Sequence, residues 1–493
     1  MGNYNIPFTG PGRLSKKDIP IQIPPFLIIM VGFGLALFSA YHIGKGNNEM
    51  AALPPAGVLG LVVTLYILSN PLLGLSLTVG STLLIEILPT TTYISSITVL
   101  LGAITFVSYI VQVRFENRSS SVQDTLRSLH IIEITALVFI NWIFGNSPQS
   151  ALGMTGTRNW LFTFVQLFIL LHISSRLLNT PPRHRIFMLF FIIFVLISSS
   201  FGIHKAITQG ISNVERASGL GENPNALAFQ ATLGILFAQH IARTTSDKQM
   251  RNFALISFAI FVITVLLTLS RSGLVTMIIV VLISNVSPQH GTQQLQRVIL
   301  ISSIIAAILF TFSGSLVKSF ASRFEESDET RFAVWDASFK VFLDHPISGV
   351  GIGNGSKYTP FYSEELMQRS ERKGQVTTSH NSILSLLSET GTVGLAIFLA
   401  MLFAAFQALV SAINRYRNNP EYFSLAITWL AVLLIYFMQG LLHSVQYDKV
   451  FWLTIGVALG FEIISKNAPA EPEETPIPDN PVQQRIALPG QEP

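Results

Sequence analysis

Long apolar runs, broken by short polar stretches, repeat along almost the whole chain. A helix rising 1.5 Å per residue needs about 20 apolar residues to cross a bilayer's hydrocarbon. Helix is also the form that satisfies backbone polar groups in lipid. The pattern predicts spans at about 25–44, 52–69, 71–89, 93–113, 130–145, 158–178, 185–203, 224–242, 252–269, 272–287, 297–316, 391–413, 423–442 and 447–465. That is fourteen spans. The 52–69 and 71–89 runs are joined by "SNP", which leaves room only for a turn.

One long polar interval interrupts this rhythm before the last three spans. Within it, "DETRFAVWDASFKVFLDHP" places Phe332, Trp335, Phe339 and Phe342 three and four residues apart, which predicts an amphipathic helix. Asp328 or Thr330 is placed to cap it, and Pro346 follows its end. The glycines of "GVGIGNGS", 349–356, lack the preceding strand and βαβ unit that a dinucleotide fingerprint needs. They fit a backbone turning close to the membrane helices. The polar stretch 357–376 reads as a short helix and a link.

The stretch "TTSHNSILSLLSETGTVGL", 377–395, runs from polar to apolar. Thr378 or Ser379 is an expected N-cap for a short helix starting at His380, with Leu384 and Leu387 on the same face. Glu389 and Gly391 close that helix before the next span. A histidine at a helix N-terminus is held neutral by the dipole and can accept a proton from a hydroxyl. A purely capping or hydrogen-bonding histidine is the alternative on these residues alone.

Composition agrees with the pattern. Of 493 residues 49% are hydrophobic and 12% charged, against about 25% charged in soluble proteins. This is an integral membrane protein, so length does not divide it into soluble domains. The net charge of +4 is small and dispersed, and gives no reason to expect a nucleic-acid partner. No cysteine is present, which excludes disulfides and thiolate metal sites. Arg13, Lys16 and Lys17 precede an apolar run too long for a signal peptide.

With the N-terminus inside, 17 of the 31 Lys and Arg fall in inner segments and 6 in short outer ones. The bias places both termini in the cytoplasm. The expected organisation is a cytoplasmic segment 1–24, membrane helices in 25–316, a large extracytoplasmic loop 317–390, further membrane helices in 391–465 and a disordered cytoplasmic tail 466–493.

Two cations oppose that bias. Arg216 lies in "ISNVERASGLGENPNALA" and Arg271 in the tight turn "LTLSRSGLV", both outside. They suggest an anionic partner at headgroup level; snorkelling to lipid phosphate is the other reading. Glu86, Glu133 and His172 are the polar groups within or near spans that a transporter would use. They look scattered, with no paired repeat. No Asp-x-Asp pattern occurs in an outward segment.

Four stretches occur in one order: the R-x-x-G-x-x-x-N-P-N pattern from Arg216 to Asn225, "LSRSG", "RFAVWDASFKVFLDHPISGVGIGN" and "SHNSILSLLSETGTVGL". As a set, over roughly residues 190–460, they resemble the bacterial O-antigen ligase and polymerase family, which includes exopolysaccharide polymerases and O-linked oligosaccharyltransferases. The resemblance implies an all-α polytopic membrane glycosyltransferase with one large periplasmic loop. It implies a glycan donor on undecaprenyl diphosphate, with no metal or cofactor. Arg216, Arg271 and His380 would be catalytic: the arginines on the diphosphate, the histidine on the acceptor hydroxyl. Asn381, Arg331, Asn223, Asn225 and His345 would bind substrate. Glu49, in the first outer loop, occupies a place where other membrane glycosyltransferases keep a carboxylate. The acceptor would be a growing saccharide, as in O-antigen or exopolysaccharide polymerisation, or alternatively the lipid A-core of a ligase. A flippase, a chain-length regulator and membrane lipids are the implied partners. The implied location is the bacterial inner membrane, with the site facing the periplasm.

Overall fold

A computed structural model describes residues 60–84, 92–116, 130–152, 160–208, 217, 223–284, 328–373 and 379–467. The chain forms two compact units, Met1–Asn70 and Pro71–Pro493. In the first, the described element is α1, Gly60–Ser69. The second is all-helical over its described residues. Its membrane-type helices are α2 (Pro71–Leu84), α3 (Thr92–Glu116), α4 (Ile131–Asn146), the single turn α5 (Pro148–Ala151), α6 (Trp160–Leu177), α7 (Pro181–Thr208), α8 (Pro224–Thr244), α9 (Lys248–Leu267) and α10 (Arg271–Ser284). The loop region holds α11 (Asp328–Asp344), α12 (Gly355–Tyr358), a 3₁₀ turn (Thr359–Tyr362) and α13 (Glu364–Lys373). Then come α14 (Ser382–Arg415), α15 (Pro420–Gly440) and α16 (Lys449–Asn467).

The polar breaks set the helix starts. Asn223 caps α8 by accepting from Asn225 N and Ala226 N, with Pro224 in the first turn. Asp247 caps α9, and Asn419 caps α15, again with a proline, Pro420, just inside. A side-chain oxygen at these positions satisfies amides that the helix leaves open, and proline removes one of them.

Five described helices are long and apolar enough to cross a membrane: α6, α7, α9, α14 and α15. The runs expected at 25–44 and 297–316 lie outside the described residues. Helices α8 and α16 are buried along most of their length, so they belong to the core of the second unit. Gly456 and Gly460 of α16 face α6, where a β-carbon would overlap the backbone of Leu171 and Ser175. Small residues four apart let these two helices meet at close range. Trp429, Trp452 and Tyr436 fill the interior.

Gly391 breaks α14 at φ 68°, ψ −172°, near where the sequence closes a short helix. The break exchanges hydrogen bonds. Thr392 N, which in a continuous helix would bond Ser388 O, donates instead to Pro346 O at 2.8 Å. Ser388 O accepts from Val350 N and Glu389 O from Gly351 N, both at 2.9 Å. The glycine run is thereby stitched to the bend. Gly349, Gly351 and Gly353 all adopt positive φ. A β-carbon at Gly349 would overlap the Glu389 backbone, and one at Gly353 would overlap the Trp160 indole. Helix α4 closes the same region: Trp142 Nε1 donates to Thr390 O and Asn146 Nδ2 to Ser348 O.

Candidate functional site

His380, Arg331 and a residue with no motif, His443, come together at one end of the bundle. The His380 and His443 rings meet edge-on with centroids 6.5 Å apart. Arg331 of α11 acts electrostatically on both. Each side of this cluster is held by main-chain bonding. Trp335, one turn after Arg331, donates its Nε1–H to Ser379 O at 2.8 Å. Ser379 Oγ donates to Asn381 O and pairs with Ser385 Oγ. Ser382 Oγ donates to His443 O and accepts from Val445 N.

The local cap differs from expectation. Asn381, not Thr378 or Ser379, is the N-cap of α14, with its Oδ1 accepting from Leu384 N. Its Nδ2 donates to Leu441 O, so this side chain also ties α14 to the connection after α15. Asn381 therefore fixes backbone. His380 sits outside the helix with φ 47°, not in its first turn with Leu384 and Leu387. Ser379 is unavailable as a cap because its hydroxyl is already bonded.

The pKa of His380 is lowered, first by burial and then by the Arg331 charge. His443 is pushed down to about 4 by burial, by His380 and by Arg331. Both rings are neutral near pH 7.

Arg271 opens α10. Thr276 of α10 accepts from Gln439 Nε2 of α15 at 2.9 Å. The two helices run antiparallel, because Asn225 at the start of α8 meets Ser270 while His240 near its end meets Thr428 near the start of α15. Arg271 lies five residues before Thr276, and His443 four after Gln439. Arg271 is about 8 Å beyond that bridge along α10, and His443 follows the end of α15 on the same side of it. Arg271 and the histidine pair thus share one end of the bundle. Ala217 N donates to Leu267 O near the same turn; its neighbour Arg216 lies outside the described residues, as do Glu49 and Glu86.

The helix ends reinforce the charge. Helices α8, α10 and α14 all present their N-termini here. Each carries a partial positive charge, which together with Arg271 favours an anion at this end. Leu269, two residues before Arg271, and His380 are the two non-glycine residues with positive φ among those described. Such conformations cost about 1–3 kcal/mol and concentrate at functional sites.

The remaining candidates divide. Asn225 Oδ1 accepts from Ser270 Oγ at 2.9 Å, which joins the asparagine motif to the arginine turn. Asn223 serves as a helix cap. His345 stacks edge-on against Tyr358, 14 residues from Arg331 and therefore about 20 Å along α11. It does not join the cluster.

Glu133 and His172 are not scattered, as the sequence suggested. His172 Nδ1 lies 2.7 Å from Glu133 Oε1, and Arg176 NH1 lies 2.8 Å from the same oxygen. Tyr109 approaches the other ring nitrogen at 3.5 Å. This buried network joins the start of α4 to the end of α6. It lies 13 residues, about 20 Å, along α4 from Asn146 and the glycine run.

Residues 256–399 match the family model for O-antigen ligase. The match supports the resemblance to O-antigen ligases and polymerases, and takes in Arg271, Arg331, His380 and Asn381 but neither Arg216 nor His443. No curated protein matches the chain. The apolar helices fit an integral membrane protein, and over residues 256–399 the chain is similar to O-antigen ligases.

Proposed function

We propose that the protein transfers a glycan from undecaprenyl diphosphate to a saccharide hydroxyl at the outer face of the inner membrane. The observation that carries this reading is the meeting of Arg331, His380 and His443 at the bundle end that also bears Arg271. A diphosphate needs fixed cations, and guanidinium groups pair bidentately with phosphate while staying charged. A hydroxyl acceptor needs a neutral base, and a depressed histidine beside an arginine supplies one.

In the proposed reaction His380 takes the acceptor's hydroxyl proton as that oxygen attacks the anomeric carbon of the donor glycan. The bond between that carbon and the diphosphate oxygen breaks, and the lipid diphosphate departs with the electron pair. Arg271, with Arg216, neutralises the departing charge, where fixed donors act most strongly. Arg331 lies beside the histidines, where it would hold them neutral and contact the sugar or phosphate. Asn225 steadies the Ser270–Arg271 turn. The charge stabilisation comes from guanidinium groups, so no metal is required.

The proposed frame is fourteen spans with both ends in the cytoplasm and residues 317–390 outside. Polymerisation is favoured over ligation to lipid A-core by the long loop, which offers room for an extended saccharide. The test is turnover of lipid-linked oligosaccharide by purified protein in excess chelator, with oligosaccharide and lipid A-core acceptors in separate reactions. Longer lipid-linked chains are expected. Transfer only to lipid A-core would make it a ligase, loss of turnover with chelator would remove the metal-free mechanism, and no transfer would sink the reading. Labelling of a tag near residue 365 from the cytoplasmic side alone would overturn the orientation.

A further inference from the structure

Helix α11 carries two apolar faces, and one has no cover among the described residues. Val334, Ala337 and Val341 are buried, with Val334 and Ala337 clustered on Leu366 and Tyr362. At 100° per residue, Phe332, Phe339 and Leu343 fall on a different stripe, about 160–180° away. They are 61%, 45% and 57% exposed. Ile347, just beyond the helix, is 66% exposed. An uncovered stripe of large aromatic and aliphatic side chains on an otherwise well-bonded helix marks an interaction surface.

The stripe leads directly into the lipid-facing side of a spanning helix. Thr392 of α14 bonds Pro346 O through both its amide and its hydroxyl, each at 2.8 Å. Thr392 is itself exposed, and Leu399, Phe403 and Phe406 continue down the same helical face, all exposed. That face belongs to one of the helices apolar and long enough to cross a membrane. Its lipid-facing surface therefore continues through Thr392 and Pro346 to Ile347, Leu343, Phe339 and Phe332.

The flanks of α11 sort in the same way. Lys340 pairs with Asp336 at 2.6 Å on one side of the stripe, both well exposed. Arg331 and Trp335 lie on the other side, toward the histidine cluster. A helix with a hydrocarbon stripe between charged flanks is suited to lying in the plane of a membrane surface, its apolar side about 5–10 Å into the headgroup–acyl boundary.

We infer that α11 is seated in the outer leaflet, with Phe332, Phe339 and Leu343 in contact with bilayer hydrocarbon. This rests on the chain being a membrane protein and not on the reaction assigned to it. It sets the depth of the histidine cluster: Arg331, on the flank of an embedded helix, lies at headgroup level.

The absence of native cysteine makes the test direct. Phe332→Cys, Phe339→Cys, Leu343→Cys and Lys340→Cys, one at a time in the full chain, would carry a nitroxide and be reconstituted in phospholipid nanodiscs. Because these side chains are exposed, the variants should fold, which a monodisperse elution profile checks. Oxygen, which partitions into lipid, should relax the labels at 332, 339 and 343 more than a water-soluble nickel chelate does. The label at 340 should show the reverse, with the oxygen-to-nickel ratio differing at least several-fold. Nickel access at 332, 339 and 343 equal to that at 340 would place the helix in water and overturn the inference. Shielding of those three from both reagents would show a protein cover and would overturn it too.

Discussion

The imidazole of His443 stands edge-on to that of His380, on a connection that Ser382 binds through both its donor and its acceptor. Two neutral rings beside one guanidinium form a pair in which a proton on either ring disfavours a proton on the other. The arrangement suits a base that must be empty at neutral pH and must release its proton after each turnover.

That coupling fixes a pH dependence. Protonation of the base stops transfer, so activity should fall as pH drops through the depressed histidine range, below the usual value of about 6.5. Arg331→Gln removes a charge that lowers both histidines, and the acid limb of kcat/KM should move to higher pH. A limb that stays in place in the variant would separate Arg331 from the base. Stability has its own sign. His443 is held at about 4 in the folded protein, so between about 6.5 and 4 the unfolded chain binds the proton and the folded chain does not. Stability should decline over that window as pH falls and level off below it, as read by thermal melting in detergent.

His380→Ala should reduce transfer by about 10²–10⁴, the usual range for a lost general base, with donor binding retained. His443→Gln keeps a hydrogen-bonding side chain but cannot titrate, and should leave more activity than His380→Gln. Single-turnover rates with lipid-linked donor decide the order. The opposite order would transfer the base role to His443.

Trp335→Phe keeps the ring and removes the donor to Ser379 O. A lost hydrogen bond of this kind costs about 0.5–1.5 kcal/mol. Because Ser379 immediately precedes His380, kcat should fall more than KM rises. A variant that melts earlier with an unchanged kcat would make the contact purely structural.

Arg271→Lys retains charge and loses the planar fork. Transfer should drop, with weaker donor binding seen in a titration of the lipid diphosphate. Full activity in the lysine variant would show Arg271 to be a lipid anchor.

Much of the helical pattern was legible, because hydrocarbon-crossing runs and their capping breaks are local signals. Asn223, Asp247 and Asn419 each stand just before a helix, where the polar breaks fall. His380 and Arg331 were legible through local motifs. His443 was not: it sits in "GLLHSVQYDK", and only the pairing of α14 with α15 carries it to His380. The one available signal was a polar connection between two spans that the charge bias assigns to the same side as His380. Glu133 and His172 were misread as scattered for the same reason, since their spacing has meaning only across two packed helices. The cap at Asn381 was missed because Ser379, an equally good capping residue, is engaged elsewhere.

The exchange of hydrogen bonds at Gly391 links two things usually treated separately. If the loop lifted away, Val350 would release Ser388 O and Pro346 would release Thr392 N, and these two groups are the ones a straight helix would join. Gly391 lacks a β-carbon and can turn into the helical region to allow it. Seating of the loop and curvature of the helix beneath it are thus one mechanical coordinate, with the helix-side groups able to pair with each other when the loop releases them. A change in bilayer thickness or lateral tension that straightens α14 would, by the same motion, unseat the loop packed on it.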